Sequence, residues 1–518
     1  MKPIVLTILD GWGIHPPSQT NAISMAKIPN IKGLEEKYPF CSLQSSGIIV
    51  GLPWQEAGNS EVGHLIIGSG RIIYQDLPRI SIEIKNGKFF ENPALLKALN
   101  QVKKNNSTLH LMGLISSGNV HSYREHVYAL IDFAGKNNIE KLRLHLFADG
   151  RDAPLKEAAK VISELSQKLE KPDWKIATII GRYYAMNRNQ NWDRTEIAYN
   201  LIVSGQGEKI HDPISKLQEL YRQGITDANI KPMTIVDENQ QPIGPVKEGD
   251  AIIFFNFRQD SARQITQAFV KPGFDKFPRQ KINNLVFCAM TEYEKDLPIE
   301  VAYPPIKIEK HLIEVLGNAG KRIFKTAETE KYAHVTYFFN GGREQAYPNE
   351  TRKLIPSKIV SHYDENPEMQ AGEISKEIIK GIKEKYDLII ANYANADMIG
   401  HTGNLKAAIK AAECLDETLK PIIKLAESGE CILIITADHG NIEEMINPQT
   451  GETKTEHTLN PVPFYLIGKE FKKEKQSSRY SFEPPAGILS DIAPTILDLM
   501  QIPQPSEMTG ASLLEVFK

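Results

Sequence analysis

Short runs of apolar, mostly β-branched residues punctuate this chain at 4–9, 142–147, 176–180, 251–257, 284–290, 387–392 and 431–436. A half-exposed strand alternates polar with apolar residues, so runs apolar at nearly every position fit strands covered on both faces. Amphipathic stretches at 153–169 and 374–385 predict the covering helices. The alternation specifies an α/β fold with mixed or parallel sheets layered by helices. A chain of 518 residues is too long for a single core, so at least two domains are expected.

Charge narrows the partners. Sixty-one Lys and Arg against 64 Asp and Glu leave a formal charge of -3, and no basic run stands out, so neither nucleic acid nor a membrane surface is expected. The run at 4–9 is too short for a signal peptide, and no run approaches the roughly 18 apolar residues of a membrane span. Cys41, Cys288, Cys414 and Cys431 form no close-spaced pair, which excludes a zinc ribbon or dithiol motif and predicts reduced, mostly buried thiols. A cytoplasmic location is expected.

Several runs stop at charged or small residues: residue 9 leads into Asp10-Gly11, 147 into Asp149-Gly150-Arg151-Asp152, 257 into Arg258, and 436 into Asp438-His439-Gly440. Ligands of α/β folds gather at the carboxyl ends of strands. Asp397 and His401 stand one helical turn apart, aimed at one point. Asp438 and His439 could share a site only where the strand breaks into its glycine turn. With Asp10 and His457 these residues supply the ligand chemistry of two adjacent divalent ions. Singly, each would be a surface pair, a core histidine or a turn; jointly, they terminate apolar segments in acid and imidazole. Such mixed sites accept manganese, zinc, cobalt and, less readily, magnesium.

Ser60, in Gly58-Asn59-Ser60-Glu61-Val62-Gly63-His64, is the candidate nucleophile. Asn59 would cap a helix and set Ser60 at its positive end, where phosphoryl oxygens bind. The middle of the chain carries His121, Arg151 beside Asp152, Arg182, Arg188, Arg194, Arg258 and Arg263. Arginine forks bind phosphate and carboxylate, so a small substrate carrying both groups would suit them. Some are expected in helix-surface ion pairs, Arg194 first. Asp152 would suit proton transfer with a substrate hydroxyl.

The ordered segments Leu9 to Gly13, Gly58 to His64, Val120-His121-Ser122, Asp149 to Asp152, Gly181 to Met186, Asn256-Phe257-Arg258, Glu328 to Tyr332, Asp397 to Gly403 and Thr436 to Asn441 resemble cofactor-independent phosphoglycerate mutases, within the alkaline phosphatase superfamily, over essentially the full length. The resemblance implies one metal held by Asp10, Ser60, Asp438 and His439, and a second by Asp397, His401 and His457. The ions would be manganese first, with magnesium, cobalt or zinc as alternatives, and no 2,3-bisphosphoglycerate would be needed. Ser60 would carry the phosphoryl group between 3- and 2-phosphoglycerate, with Lys331 offsetting its charge. His121, Arg151, Asp152, Arg182, Arg188 and Arg258 would grip the substrate. The resemblance also implies an alkaline-phosphatase-like domain of residues 1–76 and 311–518 holding the metals, and an inserted α/β substrate domain of residues 77–310. The proline-bearing segments at 77–78 and 303–305 would be its hinges, and a monomer is expected.

Departures are as informative. Ser261 stands where the family usually has Arg, so one guanidinium contact is absent or supplied elsewhere, with Arg263 and Arg279 the candidates to supply it. Ser117, Asn119, Asn187 and Asn189 stand where acidic or glycine residues are common. Two other readings share the metal set: a phosphatase or other phosphomutase of the superfamily, and a catalytically silent binder of phosphometabolites.

Overall fold

Ile4–Leu9 is buried along its whole length and runs through the middle of an eight-stranded sheet in the computed structural model, which describes residues 2–447, 449–473 and 484–517. Leu388–Tyr393 and Ile432–Thr436 flank it in parallel, with Ile8 level with both Asn392 and Thr436. Ile323–Glu328 and Glu350–Ile355 extend the parallel set on one side. On the other, Val462–Ile467 runs antiparallel to both neighbours, followed by Phe40–Gln44 and Gly487–Ile488. This register brings the carboxyl ends of the central strands level, so the residues after them converge.

That sheet belongs to a compact unit of residues 1–75 and 307–518, while residues 76–306 form a second unit. The second unit has its own eight-stranded sheet, with Leu109–Ile115 between Ala251–Phe254 and Leu142–Ala148. Trp174–Gly181 continues it, and only its pairing with Met233–Ile235 is antiparallel. Adjacent residues serve different cores: Leu146 and Ile253 pack in one cluster, Phe147 and Phe254 in the other. Burial on both faces is why these strands read as largely apolar runs, with His110, His145 and Thr178 buried among the apolar residues.

The α/β expectation holds, with adjusted bounds. The helix expected over 153–169 is Ala158–Ser166. Pro154 disfavours helical backbone at Ala153, and the helix instead starts where Asp227 Oδ2 accepts the Glu157 and Ala158 N–H groups at 2.8 and 2.9 Å. That cap comes from the remote 3-10 turn Asp227–Asn229. The expected helix at 374–385 is Ala371–Lys383, and the strand expected to 257 ends at Phe254. Pro78, expected at a junction, sits in the first turn of helix Asp76–Asn86, where a missing N–H costs nothing. All four cysteines are free thiols, three of them buried. Among the described residues no helix is long and apolar enough to cross a membrane.

Candidate functional site

The first unit concentrates acid and imidazole at the carboxyl ends of its parallel strands. Asp10 follows Ile4–Leu9, Asp438 and His439 follow Ile432–Thr436, and Lys331 lies in the turn Thr329–Lys331 after Ile323–Glu328. Ser60 opens helix Ser60–Ser69, where Asn59 Oδ1 accepts the Val62 N–H at 2.9 Å, a cap worth about 1 kcal/mol. Lys331 Nζ donates to Ser60 Oγ at 2.7 Å, to Asp10 Oδ1 at 2.9 Å and to Asp397 Oδ2 at 2.6 Å. His439 Nε2 is 2.9 Å from Ser60 Oγ, whose hydroxyl lies 3.1 Å from Asp10 Oδ1.

Asp397 and His401 lie on and just after helix Asn395–Gly400, and Asp397 Oδ1 is 3.2 Å from His401 Nε2 and 3.1 Å from His457 Nε2. The two Nε2 atoms are themselves 3.1 Å apart. Each Nδ1 donates to a carbonyl, His401 to Thr455 and His457 to Gly58, both at 2.7 Å. A neutral imidazole fixed that way presents a lone pair at Nε2, so two lone pairs and a carboxylate oxygen crowd one point. Tetrahedral ligands at about 2.1 Å from an ion stand roughly 3.4 Å apart, close to this spacing.

Electrostatics point the same way. Asp10, Asp397 and Asp438 are almost completely buried, and among the described residues Lys331 is the one ammonium beside them. Burial opposes charge on Asp10 and Asp397, yet Lys331 holds both carboxyls well below the usual carboxylate range. Burial likewise opposes charge on Lys331, and Asp10, Asp397 and Asp438 outweigh it. Against burial, Asp438, Asp10 and Asp397 raise His439 to about 9. Asp438 Oδ2 is buried without a hydrogen-bond partner. This donor set, short of positive charge and holding an orphaned carboxylate oxygen, fits divalent cations. The ligand atoms fall into three groups: Asp397, His401 and His457; Asp10, Asp397 and His439; Asp10, His64 and Asp438.

Sequence reasoning had not singled out His64, which lies 3.1 Å from Asp438 Oδ2. Its signal was available, since it stands one helical turn after Ser60, the spacing used for Asp397 and His401. Two glycines make the convergence possible. A Cβ on Gly11, whose φ is +79°, would lie 2.7 Å from the Asp397 backbone, and one on Gly63 would lie 2.7 Å from Asp438 Cβ.

The second unit gathers the arginines at the carboxyl ends of its own strands, around a cavity of about 290 Å³. His121, Arg151, Asp152, Arg182, Arg188, Arg258 and Ser261 all line it. Arg182 Nη1 binds Asp149 and Asp152, both at 2.5 Å, and its Nη2 donates to His121 Nε2 at 3.0 Å. Burial, then the Arg182 charge, lowers His121 to about 4, so it is neutral at physiological pH. Asp260 Oδ2 binds Arg188 at 2.5 Å and Arg258 at 3.2 Å.

One expectation changes here. Arg194, expected in a surface ion pair, lines the cavity and stacks on Tyr183, with no carboxylate partner among the described residues. Arg263 and Arg279, the candidates to replace the contact missing at Ser261, are tied to main-chain carbonyls: Arg263 Nε to Tyr293 at 2.7 Å, Arg279 to Ala268 and Lys271. Neither lines the cavity. The polar substitutions brace loops, since Asn187 Oδ1 accepts the Asn189 and Asn191 N–H groups and Ser117 binds Glu157.

Residues 80–295 match the family model for the N-terminal part of BPG-independent phosphoglycerate mutases. A 2,3-bisphosphoglycerate-independent phosphoglycerate mutase of Methanosarcina barkeri is 48% identical over 99% of this chain and 98% of its own length. The chain belongs to the 2,3-bisphosphoglycerate-independent phosphoglycerate mutase family. A member from Clostridium perfringens is 47% identical over 99% of both chains. The fold of this family is seen in a crystal structure of Leishmania mexicana phosphoglycerate mutase at low cobalt concentration, 31% identical, which matches 98% of this chain and 97% of its own with a TM-score of 0.55.

Proposed function

We propose that this chain interconverts 3-phosphoglycerate and 2-phosphoglycerate through a phosphoserine at Ser60, using two divalent ions and no 2,3-bisphosphoglycerate. Ser60 carries the assignment: its Oγ stands at a helix N-terminus within hydrogen-bond reach of Lys331, His439 and Asp10. A serine that merely capped a helix would need none of them.

Asp10, Ser60, Asp438 and His439 would hold one ion, and Asp397, His401 and His457 the other. When bound, such ions lower a hydroxyl's pKa and offset phosphoryl charge. Manganese is proposed first, because a mixed Asp/His set accepts it; the Leishmania relative was crystallised with cobalt.

Ser60 Oγ, reacting as the oxyanion, bonds to phosphorus as the bond from phosphorus to the 3-oxygen breaks, and that oxygen takes a proton from Asp152 in its carboxylic acid form. The 2-hydroxyl of the retained glycerate then returns its proton to Asp152 and attacks phosphorus, and Ser60 Oγ leaves as the oxyanion it began as. Lys331 stabilises the developing charge on Oγ. His121, Arg151, Arg182, Arg188 and Arg258 bind the carboxylate and orient the glycerate.

A metal-stripped assay on 3-phosphoglycerate, restoring manganese, magnesium, cobalt or zinc without 2,3-bisphosphoglycerate, tests this. Metal-dependent 2-phosphoglycerate without matching phosphate release is expected. Phosphate alone would replace the mutase with a phosphatase, and neither product with any metal would leave a binder.

A further inference from the structure

The arginines of the second unit's cavity differ in how far their charge is already answered. Arg182 has Asp149 and Asp152, and Arg188 and Arg258 share Asp260. Arg151 and Arg194 line the same cavity with no carboxylate partner among the described residues. A small anion gains most from the charges that no internal carboxylate offsets.

Arg194 is also held in place. Its guanidinium carbon lies 3.9 Å from the centre of the Tyr183 ring, and that ring packs edge-on against Tyr184 with centres 5.0 Å apart. A guanidinium held over an aromatic face is positioned without using up its N–H groups, which stay available to a ligand. Local stability does not ask for this residue. It occupies the first turn of helix Trp192–Ser204, where the macrodipole disfavours a cation. A positive side chain there, unpaired and facing a polar cavity, adds to the field an entering anion meets.

We propose that Arg194, stacked on Tyr183, is a further substrate-contacting residue that binds an anionic group of the phosphoglycerate. The identity of the ligand rests on the mutase reading; the contact itself does not. Because the inference concerns binding, it is read on full-length protein carrying Ser60→Ala, with 3-phosphoglycerate titrated by calorimetry, and separately on turnover of the otherwise intact chain.

Arg194→Ala is expected to weaken 3-phosphoglycerate binding about tenfold or more, and to raise KM in proportion while kcat changes little. Arg194→Lys, which keeps the charge without the planar fork, should recover part of the loss. Binding and KM within about twofold of the parent, or a fall in kcat and melting temperature at unchanged KM, would overturn the assignment and leave Arg194 a structural brace. If the intact chain binds 3-phosphoglycerate without isomerising it, the mutase reading fails while the Arg194 comparison still decides the contact. If 3-phosphoglycerate does not bind at all, both fall.

Discussion

The two units place opposite chemistries on the same backbone device. Each collects side chains at the carboxyl ends of parallel strands, yet the first collects buried carboxylates short of positive charge, and the second collects arginines in excess of their carboxylates. In the first, Asp10, Asp438 and His439 are fully buried, so every missing charge is felt at low dielectric. In the second, Arg188 and Arg258 are about half exposed, at 46% and 48%, where water screens their fields. The fold therefore supplies a place, and burial decides how strongly the residues there demand a partner.

Ser60→Ala should break the comparison most sharply. Turnover is expected to fall on the order of 10⁴-fold or more, because the bond-forming atom is gone, while 3-phosphoglycerate binding survives in the arginine cavity. Steady-state rates and calorimetry on the same preparation check it, and loss of binding together with turnover would show that the two regions are not separable.

Asp260→Asn should have a smaller, two-sided effect. Freed from the shared carboxylate, Arg188 and Arg258 lose their fixed spacing, and their charge becomes available to any anion. Several-fold tighter inhibition by inorganic phosphate is expected, with a several-fold lower kcat/KM for 3-phosphoglycerate. Weaker phosphate inhibition would instead mean that Asp260 holds the cavity open.

The smallest expected effects are those of pH on the metal-free protein. Folded His439 binds its proton more tightly than an ordinary histidine, at about 9 against 6.5, so its stabilisation is complete below pH 6.5 and is lost as pH rises through about 9. His121 is displaced the other way, to about 4, so between pH 6.5 and 4 the unfolded chain holds a proton that the folded chain lacks, and stability falls on acidification. Thermal melts across this range should show His439→Gln flattening the alkaline limb and His121→Asn the acid one. The reverse pattern would contradict the opposed environments.

Much of the fold is legible because its strands are buried on both faces. The run at 4–9 is a strand with those same limits, Ile4–Leu9, since its one polar residue, Thr7, is buried with its hydroxyl donating to the Ile434 carbonyl. Helix starts were harder to read: the cap for Ala158–Ser166 is Asp227, far along the chain and invisible to any local window. Asp10, Asp438 and His439 could be nominated because they end apolar runs abruptly. Arg194 stands among the arginines of the sequence, but its helix surroundings look like those of any exposed cation, so it reads there as half of a surface ion pair. What distinguishes it is the Tyr183 ring beneath it and the lack of a carboxylate partner among the described residues.

Gly11 and Gly63 extend the meaning of the buried cluster to protein engineering. Because a single methyl group at either position would collide with Asp397 or Asp438, the site is specified by empty volume as much as by donor atoms. Copying only the aspartates, histidines and Ser60 onto another α/β scaffold would reproduce the inventory and lose the assembly. A transplant has to carry both glycines with it.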